Sequence, residues 1–251
     1  MPGVEGRIAL VTGAGRGIGR VTADLLASRG ARVMAVARSE NELQALGLDY
    51  VVADLGTPDG CALAVKETHD RLGPVEILIC NHGIGSAHER VIWEQESELW
   101  RETMRINLDG PYFLSQAVVK DMIEQGYGRL VFTSSTAGQV AEYAGSAYNS
   151  SKHGLLGLIR SVAQDAGPYG VTSNAVLPGW VRTPMAETSA KTEAELRGIS
   201  IDEVWTERAA LYPAGRVVTP EEVAEVIAFL ASKESSGVNG EALTVALGGV
   251  W

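Results

Sequence analysis

Short apolar runs alternate with longer amphipathic stretches along almost the whole chain, and this alternation most constrains its fold. Seven runs are nearly continuously apolar, which is typical of strands covered on both faces. They are residues 8–11, 32–37, 50–54, 76–80, 129–134, 171–177 and 242–246. Five stretches between them have helical periodicity: residues 18–28, 58–72, 98–125, 148–166 and 220–231. This order predicts an α/β fold with a doubly wound, seven-stranded parallel sheet and helices on both faces.

One segment interrupts the alternation. Residues 184–212 are polar, charged and long, and they lie between the sixth strand and the last helix. Long irregular insertions at the carboxyl end of a parallel sheet are usually functional. We therefore predict an irregular lid, called the lid segment below; the alternative is a solvated pair of surface helices without a ligand role. No repeat or linker divides the chain, which predicts a single domain over residues 1–251.

Charge and composition restrict the possible functions. The 251-residue chain has a formal net charge of -10, so its surface should repel phosphate backbones and anionic membranes. No apolar run approaches the ~20 residues needed to span a bilayer, and the N-terminus lacks a signal-peptide pattern. The two cysteines, Cys61 and Cys80, form neither a disulfide framework nor a CxxC pair. We expect a cytoplasmic protein with reduced thiols, no nucleic-acid or membrane partner and no metal site.

A glycine-rich turn follows the first predicted strand and leads into a helix. It reads Thr12-Gly13-Ala14-Gly15-Arg16-Gly17-Ile18-Gly19. Glycines in this context allow a tight turn, a close approach of backbone amides to a pyrophosphate, and close packing of helix on strand. The glycines at 13, 17 and 19 have the spacing Gly-x-x-x-Gly-x-Gly. This differs from the usual GxGxxG because position 18 is isoleucine. The turn predicts a dinucleotide site in a Rossmann fold, and a purely structural turn is the alternative.

The end of the second strand indicates which dinucleotide binds. NAD enzymes of this architecture usually have an acidic residue there, whereas this chain reads Ala37-Arg38-Ser39. A guanidinium pairs with a 2′-phosphate that a carboxylate would repel, and Arg16 would approach the same phosphate from the other side. We therefore predict NADPH/NADP over NAD, unless both arginines are only surface charges. Asp54 and Leu55, after the third strand, are candidates for holding the adenine.

Three side chains form the predicted catalytic group. Tyr148 and Lys152 are four residues apart at a helix start, so they share one helical face. A free tyrosine has a pKa near ~10, and a nearby ammonium is expected to lower it, which suits a general acid or base. Ser135, at the end of the fifth strand, is placed to donate a hydrogen bond to the same substrate oxygen. A Tyr-x-x-x-Lys pair alone often arises by chance, but after a serine at a strand end and downstream of a nucleotide turn it becomes a specific signal for a catalytic site.

Along essentially its whole length the chain resembles the short-chain dehydrogenase/reductase family. The glycine turn matches the family's cofactor turn, and Asn107 lies where the family keeps a helix-kinking asparagine. Together with Ser135, Tyr148 and Lys152 it completes the Asn-Ser-Tyr-Lys tetrad. Within the family, the likeness is to β-ketoacyl-carrier-protein reductases and polyketide ketoreductases. The segment 178–183 matches the one that carries the nicotinamide carboxamide, through Pro178, Gly179, Val181 and Thr183.

The resemblance implies an oxidoreductase that reduces a ketone to a secondary alcohol with NADPH, with Tyr148 as the proton donor. It implies that Ser135 orients the carbonyl oxygen, that Lys152 also holds the nicotinamide ribose, and that Asn107 positions a water relaying protons to Lys152. It further implies a homotetramer, or a homodimer, built through the two long central helices. The C-terminal residues 248–251 are apolar, and we expect them either to pack on a neighbouring subunit or to remain in solvent. The alternatives are an NAD-linked secondary alcohol dehydrogenase and a non-catalytic dinucleotide-sensing protein that kept the fold.

The chain departs from the family pattern after the fourth strand. It reads Cys80-Asn81-His82-Gly83 where the family usually has Asn-Asn-Ala-Gly. Asn81 and Gly83 are kept, so the loop against the adenine ribose should form. The bulkier His82 is expected to be packed or to face the ribose, with a catalytic role as the alternative. The second crossover, between residues 39 and 49, is short, so its helix should be abbreviated.

The substrate is expected to be a small carbonyl compound. No basic patch that would receive an acyl carrier protein is evident, which argues against a carrier-bound substrate. Several large side chains flank the predicted nicotinamide site and are candidates for an apolar wall, although each one alone is more often core. They are Tyr143, Trp180, Met185, Trp205 and Tyr212. The wall indicates an apolar, aromatic or β-keto substrate.

Overall fold

The computed structural model describes residues 3–249, so Val250 and Trp251 of the C-terminal segment lie outside the described residues. The strands are β1 Ile8–Thr12, β2 Arg32–Ala37, β3 Asp49–Val52, β4 Ile77–Cys80, β5 Gly128–Thr133, β6 Val171–Pro178 and β7 Ala242–Val245. The helices are α1 Gly17–Ser28, α2 Glu40–Gln44, α3 Pro58–Arg71, α4 Ser97–Met104, α5 Gly110–Gln125, α6 Ser146–Ala166, α7 Pro184–Arg197, α8 Ile201–Ala210 and α9 Pro220–Leu230.

All seven strands form one parallel sheet in the order β3-β2-β1-β4-β5-β6-β7. The order reverses between β1 and β4, which therefore flank the switch point of the sheet. In open α/β sheets this is where a crevice for ligands opens, at the carboxyl ends of the strands. The predicted doubly wound, seven-stranded Rossmann fold is confirmed.

The sheet separates two apolar layers because its side chains alternate between the two faces. In β1, Leu10 packs into one layer while Ala9 and Val11 pack into the other. Helices α3, α5 and α6 cover the first face, and α1, α2 and α9 cover the second. A third, smaller cluster joins α7 to α8 and lies apart from the sheet.

Several elements begin as their sequence predicts. Thr219 accepts the backbone N–H of Glu222, whose carboxylate in turn accepts that of Thr219, and Pro220 opens α9. The abbreviated crossover is also present, as the five-residue helix α2. Cys61 and Cys80 are buried free thiols. None of the helices within residues 3–249 combines the length and apolarity needed to cross a bilayer.

Two predicted elements differ from the structure. The single helix predicted over 98–125 is α4 and α5, joined by a π-helical turn at Arg105–Asp109; such turns are not visible in hydrophobic periodicity. The lid segment, predicted as irregular, is the helix pair α7 and α8. Its buried stripe of Ala186, Ala190 and Ala194 is too small to give a strong apolar pattern.

Candidate active site

The carboxyl ends of the strands open into one cleft with a volume of about 960 Å³. Most of the predicted site residues line it, which brings together residues up to 170 positions apart in the chain. They are Gly13, Gly15, Arg16, Gly17, Ile18, Arg38, Ser39, Asp54, Leu55, Asn81, Gly83, Ser135, Tyr148, Lys152, Pro178, Gly179, Val181 and Thr183. Gly19 and Asn107 lie behind the cleft wall. Within residues 3–249 no group of three or more His, Cys, Asp or Glu side chains is arranged to hold a metal ion.

The glycines of the turn are required by local geometry. Gly13 and Gly17 have φ of 63° and 56°, a left-handed conformation that side chains disfavour. Gly19 has a different role from the one predicted, because a Cβ there would lie 2.2 Å from the carbonyl oxygen of Gly13. It permits α1 to pack on the turn and does not itself line the cleft. Helix α1 starts without a side-chain cap and without an acidic residue in its first turn.

The two arginines predicted to receive a 2′-phosphate both line the cleft, together with an acidic residue that the sequence did not point out. Arg38 is exposed. Arg16 lies 3.9 Å from the carboxylate of Glu42, a residue of α2. Because the guanidinium of Arg16 already faces a carboxylate, a 2′-phosphate would have to displace this pairing. The contact depends on α2 folding back over the turn, which no local motif reveals.

Asp54 is held in its ionised form. Its carboxylate accepts the backbone N–H of Gly56 at 3.0 Å and Nη1 of Arg105 at 3.0 Å. The Gly56 bond is the largest cause that keeps the pKa of Asp54 below its ordinary value, followed among the lowering causes by Arg105 and Arg38. Arg105 comes from the π-helical turn and also bonds Glu102. These hydrogen bonds therefore fix the orientation of the Asp54 carboxylate beside the predicted adenine position.

The loop after β4 is folded onto the glycine turn. The backbone N–H groups of Asn81 and His82 both donate to Oγ1 of Thr12. Nδ1 of His82 lies 2.8 Å from the same hydroxyl, and burial lowers the pKa of His82 to about 3. The imidazole is therefore neutral at neutral pH and packed against β1, which agrees with the predicted packed role and argues against a catalytic one.

Tyr148 and Lys152 share one face of α6, with Ser135 opposite them. Nζ of Lys152 lies 5.6 Å from the ring centroid of Tyr148 and donates a 2.9 Å hydrogen bond to the carbonyl of Thr133. Lys152 is only 5% exposed. The hydroxyl of Ser135 accepts the backbone N–H of Ala137 at 3.1 Å and is hydrogen-bonded to the hydroxyl of Tyr148. The three side chains predicted to act together are thus adjacent.

The pKa of Tyr148 differs from the prediction. Burial raises the pKa of Tyr148 to about 12, the bond to Ser135 lowers it, and the charges of Glu142 and Glu89 raise it further. The expected decrease caused by Lys152 is absent: Lys152 is itself buried and donates its hydrogen bond to the Thr133 carbonyl instead. Burial lowers the pKa of Lys152 to about 8. At neutral pH the tyrosine is therefore protonated, a state that suits donation of a proton.

Asn107 lies in the π-helical turn and fixes the wall of the cleft. Its Oδ1 accepts the N–H of Ile84 at 2.9 Å, and its Nδ2 donates to the Ile84 carbonyl at 3.0 Å and to Oγ of Ser151 at 3.2 Å. A Cβ on Gly83 would lie 3.1 Å from this Oδ1. Since its side chain is fully bonded, Asn107 ties the loop after β4 to α6.

The segment after β6 is supported from behind by Tyr212. The hydroxyl of Tyr212 accepts the backbone N–H of Trp180 at 2.6 Å, and a Cβ on Gly179 would lie 2.4 Å from that hydroxyl oxygen. Thr183 caps α7 by accepting the N–H of Ala186 at 3.3 Å. This segment is therefore positioned by the end of the lid segment.

Only two of the five predicted wall residues line the cleft. Trp180 and Met185 do, whereas Trp205 and Tyr212 are buried in the packing of α8 and its end. Tyr143 is 89% exposed and does not line the cleft. Burial in the packing explains the correction for Trp205 and Tyr212, whereas Tyr143 is exposed to solvent outside the cleft.

The lid segment forms one side of the cleft as a packed helix pair. Thr188 and Ser189 of α7 line the cleft with Met185. Below them, the buried guanidinium of Arg208 stacks 3.6 Å over Trp180 and bonds Glu193 at 2.9 Å, joining α8 to α7. The lid segment is therefore neither irregular nor a solvated pair without contact to the cleft.

One further acidic residue in the cleft was not predicted. Glu142 lies between Ser135 and Tyr148 in the chain and lines the cleft. Burial raises its pKa, the charge of Arg208 lowers it, and the charge of Glu89 raises it. The loop residues Ile84 and His88 line the same cleft. No local motif marks these residues, because their contacts arise only when the loops before α4 and before α6 meet.

Comparison with known proteins places this site among reductases. A family profile described as enoyl-(acyl carrier protein) reductase matches residues 13–249. The 3-oxoacyl-[acyl-carrier-protein] reductase FabG of Vibrio cholerae is 35% identical over 249 residues, which cover 96% of each chain. Levodione reductase has a similar structure, with a TM-score of 0.92, 31% identity and 97% of both chains covered.

A structure of a point variant of actinorhodin polyketide ketoreductase with NADPH gives a TM-score of 0.89 at 33% identity. The match covers 97% of this chain and 98% of the ketoreductase chain. The residues 13–249 that match the family profile include the glycine turn, the tetrad and the segment after β6. The chain belongs to the short-chain dehydrogenase/reductase family.

Proposed function

We propose that this protein is an NADPH-dependent reductase that converts a ketone to a secondary alcohol, with Tyr148 as the proton donor. The observation that carries the proposal is that Tyr148, Ser135 and Lys152 line one cleft together with the glycine turn and Arg38. The relative named as a 3-oxoacyl reductase and the ketoreductase neighbour with NADPH support both the reaction and the cofactor. They favour ketone reduction over the enoyl reduction named in the family description.

The residues of the glycine turn fit a dinucleotide. Because α1 has no side-chain cap and no acidic residue in its first turn, its first backbone amides can bond a pyrophosphate. Arg16 and Arg38 would hold the 2′-phosphate, and Asp54 and Asn81 the adenosine. The carboxamide would lie against the segment 178–183. The carboxylate of Glu42 beside Arg16 is a feature that favours NAD.

The chain's own residues supply the proton and the orientation. When bound, NADPH supplies the hydride that the carbonyl carbon accepts. Tyr148, protonated at neutral pH because it is buried, donates its proton to the carbonyl oxygen. Ser135 orients that oxygen and stabilises the charge that develops on it. The cation of Lys152 stabilises the resulting phenolate and lies where it can hold the ribose. A water relay beside Asn107 stays a prediction.

The lining of the cleft supports an apolar, aromatic or β-keto substrate. Ile84, Trp180 and Met185 give it an apolar part, and the carboxylate of Glu142 disfavours anionic compounds. An acidic chain with a net charge of -10 would repel an acidic carrier protein, so a free small molecule is favoured. We further propose that the protein works in the cytoplasm and forms a homotetramer. The exposed aromatic side chains of Trp100 in α4 and Tyr112 in α5 support the proposed subunit interface.

The test is to compare oxidation of NADPH and NADH with a panel of aryl and β-keto carbonyls. We expect a higher kcat/KM with NADPH in the wild type and loss of this preference in Arg38→Asp. Arg32→Asp is the matched control, because Arg32 is an exposed arginine of β2 that does not line the cleft. A wild type that prefers NADH would indicate the alcohol dehydrogenase instead. Binding of NADPH without turnover of any carbonyl would indicate a sensing protein.

A further inference from the structure

The first turn of α6, which carries Tyr148, has an unusual cap. Its N-cap residue is Gly145, which has no side chain to accept the first backbone N–H groups, and no acidic residue follows in the first turn. A larger residue is disfavoured there, because a Cβ on Gly145 would lie 3.2 Å from Nδ2 of Asn149. Unpaired N–H groups at a buried helix start destabilise it, so this helix needs an acceptor from elsewhere.

Glu89 supplies that acceptor from the loop after β4. One carboxylate oxygen accepts the N–H of Ala147 at 2.8 Å, and the other accepts the N–H of Tyr148 at 2.8 Å. The side chain is 58 residues distant in sequence and only 5% exposed. Both oxygens of a buried carboxylate are thus used on the two amides that a capping residue would normally bond. Charge-assisted bonds of this kind, at the positive end of a helix dipole, are among the stronger hydrogen bonds.

We propose that Glu89 is a positioning residue for Tyr148, holding the catalytic tyrosine by capping α6 from the opposite wall of the cleft. This inference rests on the proposed function of Tyr148 as proton donor. The same contact anchors the loop residues Ile84 and His88, which line the cleft. A single buried carboxylate therefore sets the distance between the tyrosine and the wall against which a substrate would lie.

The charge of Glu89 also acts on Tyr148. Within residues 3–249 the tyrosine is influenced by Ser135 after β5, Glu142 in the loop before α6 and Glu89, and Nζ of Lys152 on α6 lies 5.6 Å from its ring centroid. Of these, Glu142 and Glu89 raise the pKa of Tyr148 while the bond to Ser135 lowers it. Removing the charge of Glu89 should therefore make Tyr148 lose its proton at a lower pH. A merely structural cap would not have this effect.

The experiment compares Glu89→Gln, which keeps length and loses charge, with Glu89→Asp, which keeps charge and loses reach. Glu94→Gln is the control, because Glu94 is an exposed acid of the same loop that does not line the cleft. In both Glu89 variants we expect kcat for reduction to fall at least about tenfold, with KM for NADPH changed less than about threefold. Only in Glu89→Gln should the limb of the kcat profile that reports loss of the Tyr148 proton move to lower pH.

Hydrogen exchange of the amides of residues 146–149 provides a readout that needs no turnover. We expect faster exchange there in both Glu89 variants than in Glu94→Gln. If the wild type has no reductase activity but exchange changes in this way, the proposed function fails while the cap stands. Unchanged exchange and a kcat equal to that of Glu94→Gln would overturn the proposal. So would loss of NADPH binding together with activity in both variants, since it would indicate a general structural role.

Discussion

Burial has opposite effects on the two ionisable side chains at the centre of the cleft. It raises the pKa of Tyr148 to about 12 and lowers that of Lys152 to about 8. Both groups are consequently protonated at neutral pH, one as a neutral proton donor and the other as a cation. A tyrosine that keeps its proton is suited to reduction, whereas oxidation of an alcohol would need the phenolate. These protonation states agree with the proposed role of Tyr148 as the proton donor in ketone reduction.

The buried cation of Lys152 should lower the stability of the fold. Since its pKa is about 8 in the folded state and 10.5 ordinarily, the unfolded chain holds the proton more tightly, and the free energy of unfolding rises with pH between these values. We expect Lys152→Met to raise the free energy of unfolding at pH 7 by about 1–3 kcal/mol while abolishing activity. Urea denaturation measures this.

The gain in Lys152→Met should shrink as the pH rises from 8 to above 10.5, because only above 10.5 is the wild-type lysine mostly neutral in both states. Lys66→Met is the control, because Lys66 is an exposed lysine paired with Asp70. Equal effects of the two substitutions on unfolding would contradict the assigned cost of burying Lys152.

Glu42 should weaken the binding of a 2′-phosphate. Its carboxylate lies 3.9 Å from Arg16 and lines the cleft, so Glu42→Gln would free the guanidinium and remove a repulsive charge. We expect kcat/KM with NADPH to rise about threefold to tenfold and kcat/KM with NADH to stay within about twofold. Steady-state kinetics with both cofactors, beside Glu40→Gln on the same helix, measure this. Equal increases with both cofactors would show that the charge does not act on the 2′ position.

At the scale of elements, the strands were the most predictable part of the molecule. Each ends within two residues of its predicted bounds, because a strand buried on both faces gives a continuous apolar run bounded by polar turns. The lid segment was not predictable in the same way. Its helices pack through small alanines and through Arg208 stacked on Trp180, and neither feature leaves an apolar periodicity in the sequence.

The same contrast applies to the site. The glycine turn and the Tyr148–Lys152 pair are local patterns, so their residues could be placed in the cleft from spacing alone. Glu42, Glu89 and Glu142 act through contacts between segments that are separated in the chain, and such contacts depend on how the folded elements approach one another. The direction of the Tyr148 pKa was wrong for a related reason, because burial is a property of the whole fold.

The end of the lid segment should contribute to cofactor binding through one hydroxyl. Because Tyr212 accepts the backbone N–H of Trp180, Tyr212→Phe would loosen the segment predicted to hold the carboxamide. We expect the free energy of unfolding to fall by about 1–2 kcal/mol and KM for NADPH to rise several-fold. Tyr127→Phe is the control, since the buried hydroxyl of Tyr127 has no hydrogen-bond partner within the described residues. A similar KM in both variants would show that the Tyr212 bond does not support the site.

For the whole molecule, charge should select among substrates. The net charge of -10 and the carboxylate of Glu142 in the cleft both repel an anionic substrate. We expect kcat/KM for a neutral β-keto ester to exceed that for the corresponding carboxylate at least about tenfold, with a smaller ratio at high salt. Glu142→Gln should reduce the ratio further than Glu94→Gln does. A ratio near one that salt leaves unchanged would contradict this view of the cleft.

The most direct test of the account is oxidation of NADPH with an accepted ketone by the wild type and by Tyr148→Phe. We predict that kcat falls about 10²–10⁴-fold in Tyr148→Phe, because the proton donor is lost, while NADPH still binds with a Kd within about threefold. Tyr143→Phe, on an exposed tyrosine outside the cleft, should retain the wild-type rate. A Tyr148→Phe enzyme that keeps more than about a tenth of the wild-type kcat would contradict the assignment of Tyr148 as the proton donor.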